Sequence, residues 1–221
     1  MRHLLVALVG TLPTSTFKNY LLRILGWEIG RGTEIGPGLY LRLTAVKLGD
    51  LVRIGPFNVF RDMAEVRLGA RARIGQWNWI SSALPLVKAR GGGYLRLDND
   101  AAITARHYLD CSGGVSIGHH TTVAGVRSTF ITHGIEWRSA AQTSSTIVIG
   151  DYCIISSNVA LTPGTVVESR CVVGMGAVAA RTVGPEGTLQ IGPRVTAVKS
   201  GLEGLYFTRD KGYIRDIKAR D

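Results

Sequence analysis

The stretch Ile149-Gly150-Asp151-Tyr152-Cys153-Ile154 opens a series that decides the fold. From Ile149 an aliphatic residue returns at every sixth position, as Ile155, Leu161, Val167 and Val173, and Ala179 closes the run. The fifth position of each hexad is small or medium-sized: Cys153, Val159, Thr165, Cys171 and Ala177. Gly150, Gly164, Gly174 and Gly176 recur at intervening positions. An amphipathic helix needs apolar residues at 3.6 spacing and a half-buried strand needs strict alternation, and this pattern is neither. A fixed short period with glycines at corners reads as a parallel β-helix, in which each repeat buries its face only by stacking on its neighbours.

Upstream the same signal recurs at Ile29-Gly30 and Ile35-Gly36, Leu48-Gly49 and Ile54-Gly55, Leu68-Gly69 and Ile74-Gly75, Leu97 and Ile103, and Ile117-Gly118 and Val123. The expected β-helix therefore spans residues 28–198. Two interruptions are expected as loops. Residues 84–96 contain Pro85 and the Gly91-Gly92-Gly93 run, and residues 125–146 break the period just before the cleanest hexads. Loops on a rigid scaffold are where function concentrates.

Residues 1–27 lack hexads. Apolar residues at Phe17, Leu21, Leu22, Ile24 and Leu25 follow Pro13 and a Ser/Thr-rich start, which predicts an amphipathic helix capping the open end of the column. The run Leu4–Val9 is far shorter than the roughly 20 residues of a membrane span. Shallow contact with an anionic membrane through Leu21, Leu22 and Leu25, with Lys18 and Arg23, is the functional alternative to the cap. Residues 199–221 lose the hexads and are expected to form a C-terminal cap.

The chain has 221 residues, 45% hydrophobic content and 28 glycines, enough for one domain with a real core. Its net charge of +10 calls for an anionic partner: a phosphate-bearing cofactor, a membrane face or nucleic acid. Aromatic residues are not interleaved with Lys and Arg in a stacking motif, which argues against nucleic acid. Three cysteines without a C-x-x-C pair, with Cys153 and Cys171 at the same hexad position, read as buried small residues in a reducing, cytoplasmic compartment.

Two motifs carry chemistry. One is Phe130-Ile131-Thr132-His133-Gly134-Ile135-Glu136 inside the second interruption; the other is His107-Tyr108-Leu109-Asp110-Cys111-Ser112-Gly113 on the coil before it. Together with the hexads they resemble the hexapeptide-repeat acyltransferases, and most closely the colanic-acid-type sugar O-acetyltransferases. The resemblance implies an all-β fold, a left-handed parallel β-helix, assembled as a homotrimer with acetyl-coenzyme A or another acyl-coenzyme A as co-substrate and no metal. It implies His133 as general base on a sugar or glycolipid hydroxyl, with Glu136 or Asp110 holding the ring and His107 near the acceptor; Trp77, Trp79 and Trp137 are candidates, by residue type alone, to stack on a sugar ring. It further implies Ser157, Met175, Gly176 and Ala177 along the pantetheine arm; Arg181, Arg194 and Lys199 are candidates for the phosphates because Arg and Lys meet multiply charged phosphate best, with an ordinary surface charge as the alternative for each. Imidazole suits the task because its ordinary pKa of about 6.5 leaves it neutral yet able to accept a proton near neutrality. Two competing readings are a γ-carbonic-anhydrase-like metalloenzyme, for which the H-x4-H zinc pair is absent, and a non-catalytic β-helical scaffold.

Overall fold

One hexad makes one short strand and one corner, so three hexads close a triangle and the fourth begins the next storey. Ile149 pairs with Val167 on one face, Ile155 with Val173 on the second and Leu161 with Ala179 on the third, each in parallel register. The computed structural model describes residues 1–136, 141–193, 196–201, 203–204, 207–208 and 210, with the backbone alone at Glu136 and at 196–199. Among the described residues the first face has eight strands, from Glu28–Ile29 to Thr182–Val183. The second has nine, from Glu34–Ile35 to Thr196–Lys199, and the third has seven, from Leu39–Leu41 to Val178–Ala179. The final strand of the second face runs antiparallel to Leu189–Ile191 and ends the parallel ladder.

The core is the inside of this prism. The sixth-position residues Ile149, Ile155, Leu161, Val167, Val173 and Ala179 are all buried, and so are Cys153, Val159, Thr165, Cys171 and Ala177. Each buried aliphatic side chain contributes about 1.5–3 kcal/mol, and stacked coils share that burial along the column. The three cysteines are free and buried, and burial pushes the Cys153 thiol up to about 12.

The corners work differently from the sequence expectation. Left-handed backbone is carried largely by side-chain-bearing residues, such as Leu51, Arg71, His120, Tyr152 and Arg170. Gly164 and Gly176 take the left-handed turn too, at φ +79° and +74°, whereas the glycines that follow the aliphatic position are needed for close approach: a Cβ on Gly150 would lie 2.7 Å from the Ser169 nitrogen in the next coil. Successive corners are tied by backbone hydrogen bonds, as from Tyr152 to His119 (2.8 Å) and Arg170 to Asp151 (2.7 Å). Those bonds offset the strain of positive φ.

The first 27 residues form two helices, α1 (Arg2–Gly10) and α2 (Thr16–Ile24). Ser15 caps α2 by accepting from the Lys18 nitrogen at 3.1 Å. Val6, Leu22 and Trp27 are buried with Tyr40 and Phe60, so the helices cover the open end of the prism. Lys18 locks this cap. Its fully buried ammonium donates to the carbonyls of Gly10 (2.8 Å), Leu12 (2.9 Å) and Gly36 (2.9 Å), binding the end of α1 to the first coil, and burial lowers its pKa to about 8. Lys18 and Leu22, expected on a membrane-facing surface, are thus part of the cap's inner face.

Within 84–96 the chain is not a loop throughout. Pro85 sits in the first turn of a helix, α3 (Leu84–Arg90), and Tyr94–Leu97 is already back in the first face. Proline suits that first turn because its missing N–H has no intrahelical acceptor. The segment 125–146 likewise begins as regular coil, with Thr122–Val126 and Thr129–Phe130 in the second and third faces. What leaves the prism is a hairpin of His133–Glu136 against Ala141–Ser144. Most of the tail expected as a C-terminal cap lies outside the described residues.

Candidate active site

The hairpin leaves the column at the edge between the third and first faces, and His133 stands at its root opposite Ser144. His133 Nδ1 lies 2.7 Å from Asp110 Oδ2, a carboxylate on the preceding coil that is only 4% exposed. Asp110 receives four more donors. The Ser112 nitrogen (3.2 Å) and hydroxyl (2.5 Å) donate to Oδ1, and the Thr132 nitrogen and hydroxyl (2.8 Å each) donate to Oδ2. Burial alone would raise the Asp110 pKa, but the donors from Ser112, His133 and Thr132 outweigh it and hold the group below its ordinary value. An ionised carboxylate only accepts, so in the neutral ring Nδ1 carries the proton and Nε2 keeps its lone pair.

Of the two acids expected to orient the ring, Asp110 is in contact with it; Glu136 has its backbone in the hairpin and its side chain outside the described residues. Trp137 and Arg194 also lie outside them, as does the side chain of Lys199. Ser112 and Thr132 complete the carboxylate's shell, and sequence reasoning missed both. Their only signal is adjacency to Asp110 and His133.

The two insertions meet here. The Ala83 nitrogen, at the start of α3, donates to Ser112 Oγ at 2.8 Å, which in turn donates to Asp110. Between them lies a polar cavity of about 470 Å³, lined by Arg90, Gly91, Gly92 and Tyr94 from one insertion and by Gly113, Ser144, Ser145 and Thr146. Tyr94 and Thr146 close one wall through a 3.2 Å hydroxyl pair. A larger groove of about 700 Å³ runs along the second face past Glu34, Arg53, Arg73 and Gly75. The smaller cavity is the one next to the imidazole–carboxylate pair, through Ser144, which lines it and pairs with His133.

His107 is elsewhere. It is buried at the edge between the second and third faces, one step along a column of polar side chains, Asn58, Asn78, His107 and Ser128, set by the strand register. Asn78 accepts from the His107 nitrogen at 2.9 Å; His107 Nδ1 accepts from the Ser128 nitrogen at 3.1 Å, and Nε2 meets Thr104 Oγ1 at 3.0 Å. Burial lowers its pKa to about 4. Both ring nitrogens are engaged within the wall, so His107 presents nothing to an acceptor. His120 is similarly occupied, stacked on Tyr152 at 4.8 Å on the third edge. Trp77 stacks on Phe57 at 4.5 Å, again away from His133.

The residues expected along the donor fall on two edges. Ser157, Met175 and Gly176 lie at the edge between the second and third faces, where the Gly176 nitrogen donates to the Ser157 carbonyl at 3.1 Å. Met175 is exposed, and Gly176 at φ +74° has open space where a Cβ would stand, so the backbone there is accessible. Ala177 is buried, with its N–H on the Gly174 carbonyl and its own carbonyl accepting from Ala160. Arg181 is exposed on the other edge, two coils beyond the hairpin root and therefore roughly 10 Å from it. Among the described residues no cluster of three or more His, Cys, Asp or Glu is arranged to hold a metal ion.

No protein-family model matches the sequence, and no curated protein matches it. In fold the chain is similar to AntD, an N-acyltransferase from Bacillus cereus. A mutant of that enzyme in complex with dTDP-4-amino-4,6-dideoxyglucose and coenzyme A aligns with a TM-score of 0.55 at 12% identity, over 85% of this chain and 90% of that one. A second mutant, in complex with dTDP and coenzyme A, aligns with a TM-score of 0.52 at 13% identity, over 86% and 91%. The polySia-specific acetyltransferase NeuO aligns at 0.50 and 16% identity, over 87% and 86%. The chain has the left-handed parallel β-helix fold expected of a hexapeptide-repeat acyltransferase.

Proposed function

We propose that the protein is an acyl-coenzyme A-dependent O-acyltransferase, moving an acetyl group to a hydroxyl of a sugar in a polysaccharide or glycolipid precursor. The observation that carries this reading is the 2.7 Å contact between His133 and the buried, five-fold hydrogen-bonded Asp110, beside a polar cavity where two insertions meet. Sugar nucleotide and polysialic acid specificities among proteins of similar fold support the acceptor class.

A sugar hydroxyl is a poor nucleophile until its proton leaves. With Nδ1 donating to Asp110, Nε2 takes that proton as the hydroxyl oxygen bonds to the thioester carbonyl carbon. Asp110 stabilises the imidazolium that results. When the carbon–sulfur bond breaks, the same proton passes from Nε2 to the departing thiolate, so the histidine ends as it began. A positioned base of this kind contributes typically 10²–10⁴-fold.

The split of donor residues between two edges supports an assembly. One copy would supply the edge with His133 and Arg181, and a second would supply Ser157, Met175 and the accessible backbone at Gly176, with the pantetheine arm between them. A homotrimer satisfies this for every site at once. Three free, buried cysteines suit the cytoplasm.

The test is thiol release from acetyl-coenzyme A across neutral, acidic and amino sugars, comparing the native chain with His133→Ala. Acceptor-dependent release that the variant loses supports the reading; full transfer by the variant removes the base, and transfer restricted to amino groups replaces O-acylation with N-acylation.

A further inference from the structure

The helical cap has two faces, and only the inner one is explained by capping. On the outer face Leu4 (66%), Leu8 (59%), Phe17 (63%), Tyr20 (58%) and Ile24 (64%) are exposed. On α1, Leu4 and Leu8 are one turn apart; on α2, Phe17, Tyr20 and Ile24 follow at i, i+3 and i+7, so each helix turns an apolar stripe away from the prism. Single exposed apolar residues are ordinary, but a run of them across two packed helices marks a docking surface.

Charge identifies the occupant. Residues 1–27 contain Arg2, Lys18 and Arg23 and no Asp or Glu. Lys18 is buried, whereas Arg2 and Arg23 are exposed and rest on the backbone carbonyls of Leu25 (2.8 Å) and Ile29 (2.9 Å). Nearby acids on the first coils are already matched, Glu28 by Lys47 (2.9 Å), Glu34 by Arg53 (3.3 Å) and Asp50 by Arg31 (3.4 Å). A second copy docking face to face would bring like charges together, while a bilayer with anionic headgroups supplies both the apolar depth and the opposite charge. No helix among the described residues is long and apolar enough to cross a membrane, so the contact would be peripheral.

We infer that the outer face of α1 and α2 docks the protein on an anionic lipid surface. This stands independently of the acyl-transfer reading. The full chain is tested by flotation with phosphatidylcholine vesicles and with vesicles containing phosphatidylglycerol. The expected result is binding to the anionic vesicles, weakened by added salt. It should fall at least tenfold in Leu4→Gln with Leu8→Gln and in Phe17→Gln with Ile24→Gln, and several-fold in Arg2→Gln with Arg23→Gln. All six positions are exposed, and an unchanged melting temperature confirms that the variants fold. Absence of native binding, or binding that the apolar variants retain, overturns the proposal. So does self-association that these variants abolish without vesicle binding, which would assign the face to a second copy.

Discussion

His107 and His133 sit on two edges of one column and have opposite fates. At His107 the register slips between Ile103 and Ala105 but no segment leaves the column: the next coil covers the side chain, its neighbours engage both nitrogens, and burial holds its pKa near 4. At His133 the period fails, the following residues leave as a hairpin, and the ring stays partly exposed on a buried carboxylate. In a stacked fold, then, a polar residue becomes structural where the next coil covers it and available for chemistry where the chain leaves the column.

The comparison breaks most visibly at His133. If it is the base, His133→Ala should lower turnover about 10²–10⁴-fold with little change in melting temperature, since the ring is a surface contact; steady-state thiol release and calorimetry check both. Asp110→Asn should cost turnover about 100-fold. The amide would turn its N–H toward Nδ1 and move the ring proton to Nε2, and stability would fall as well because the two Thr132 donors lose their acceptor.

His107 should register in stability rather than rate. Its folded pKa is depressed, so between about pH 6.5 and 4 the unfolded chain binds a proton that the folded chain does not. Stability should therefore fall as pH drops through that window, by up to about 3 kcal/mol. His107→Asn should remove this slope while keeping most of the stability at neutral pH, because Asn58 and Asn78 already fill the equivalent positions with the same hydrogen bonds. His107→Leu should cost about 1–3 kcal/mol by leaving the Ser128 nitrogen without its acceptor. Denaturant titrations across pH separate the two. Smallest of all, Arg181→Ala should raise the KM for acetyl-coenzyme A a few-fold with kcat unchanged, as expected of one exposed cation facing phosphate.

Much of the column was legible because its core rule is local. The sixth and fifth positions from Ile149 to Ala179 all point inward, and their pairing follows from counting. The corners were legible only in part: glycine flags them, yet a close approach such as that of Gly150 to Ser169 and a left-handed turn such as that at Tyr152 look alike until the coils are stacked. Pro85 pointed to a loop because proline punctuates turns and helix starts equally well. His107 looked like a site residue for want of its column, since its relation to Asn78 spans 29 residues of sequence. His133 and Asp110 were both legible; that Asp110 touches the ring required knowing which coil lies beneath the hairpin.

The register around the hairpin has an evolutionary corollary. Ile117 pairs with Ile149 across the excursion as cleanly as Ile149 pairs with Val167 across an ordinary storey. An edge can therefore lengthen without dislocating the layers above or below. Such an architecture lets new specificity be grafted between floors while the load path of the tower stays intact.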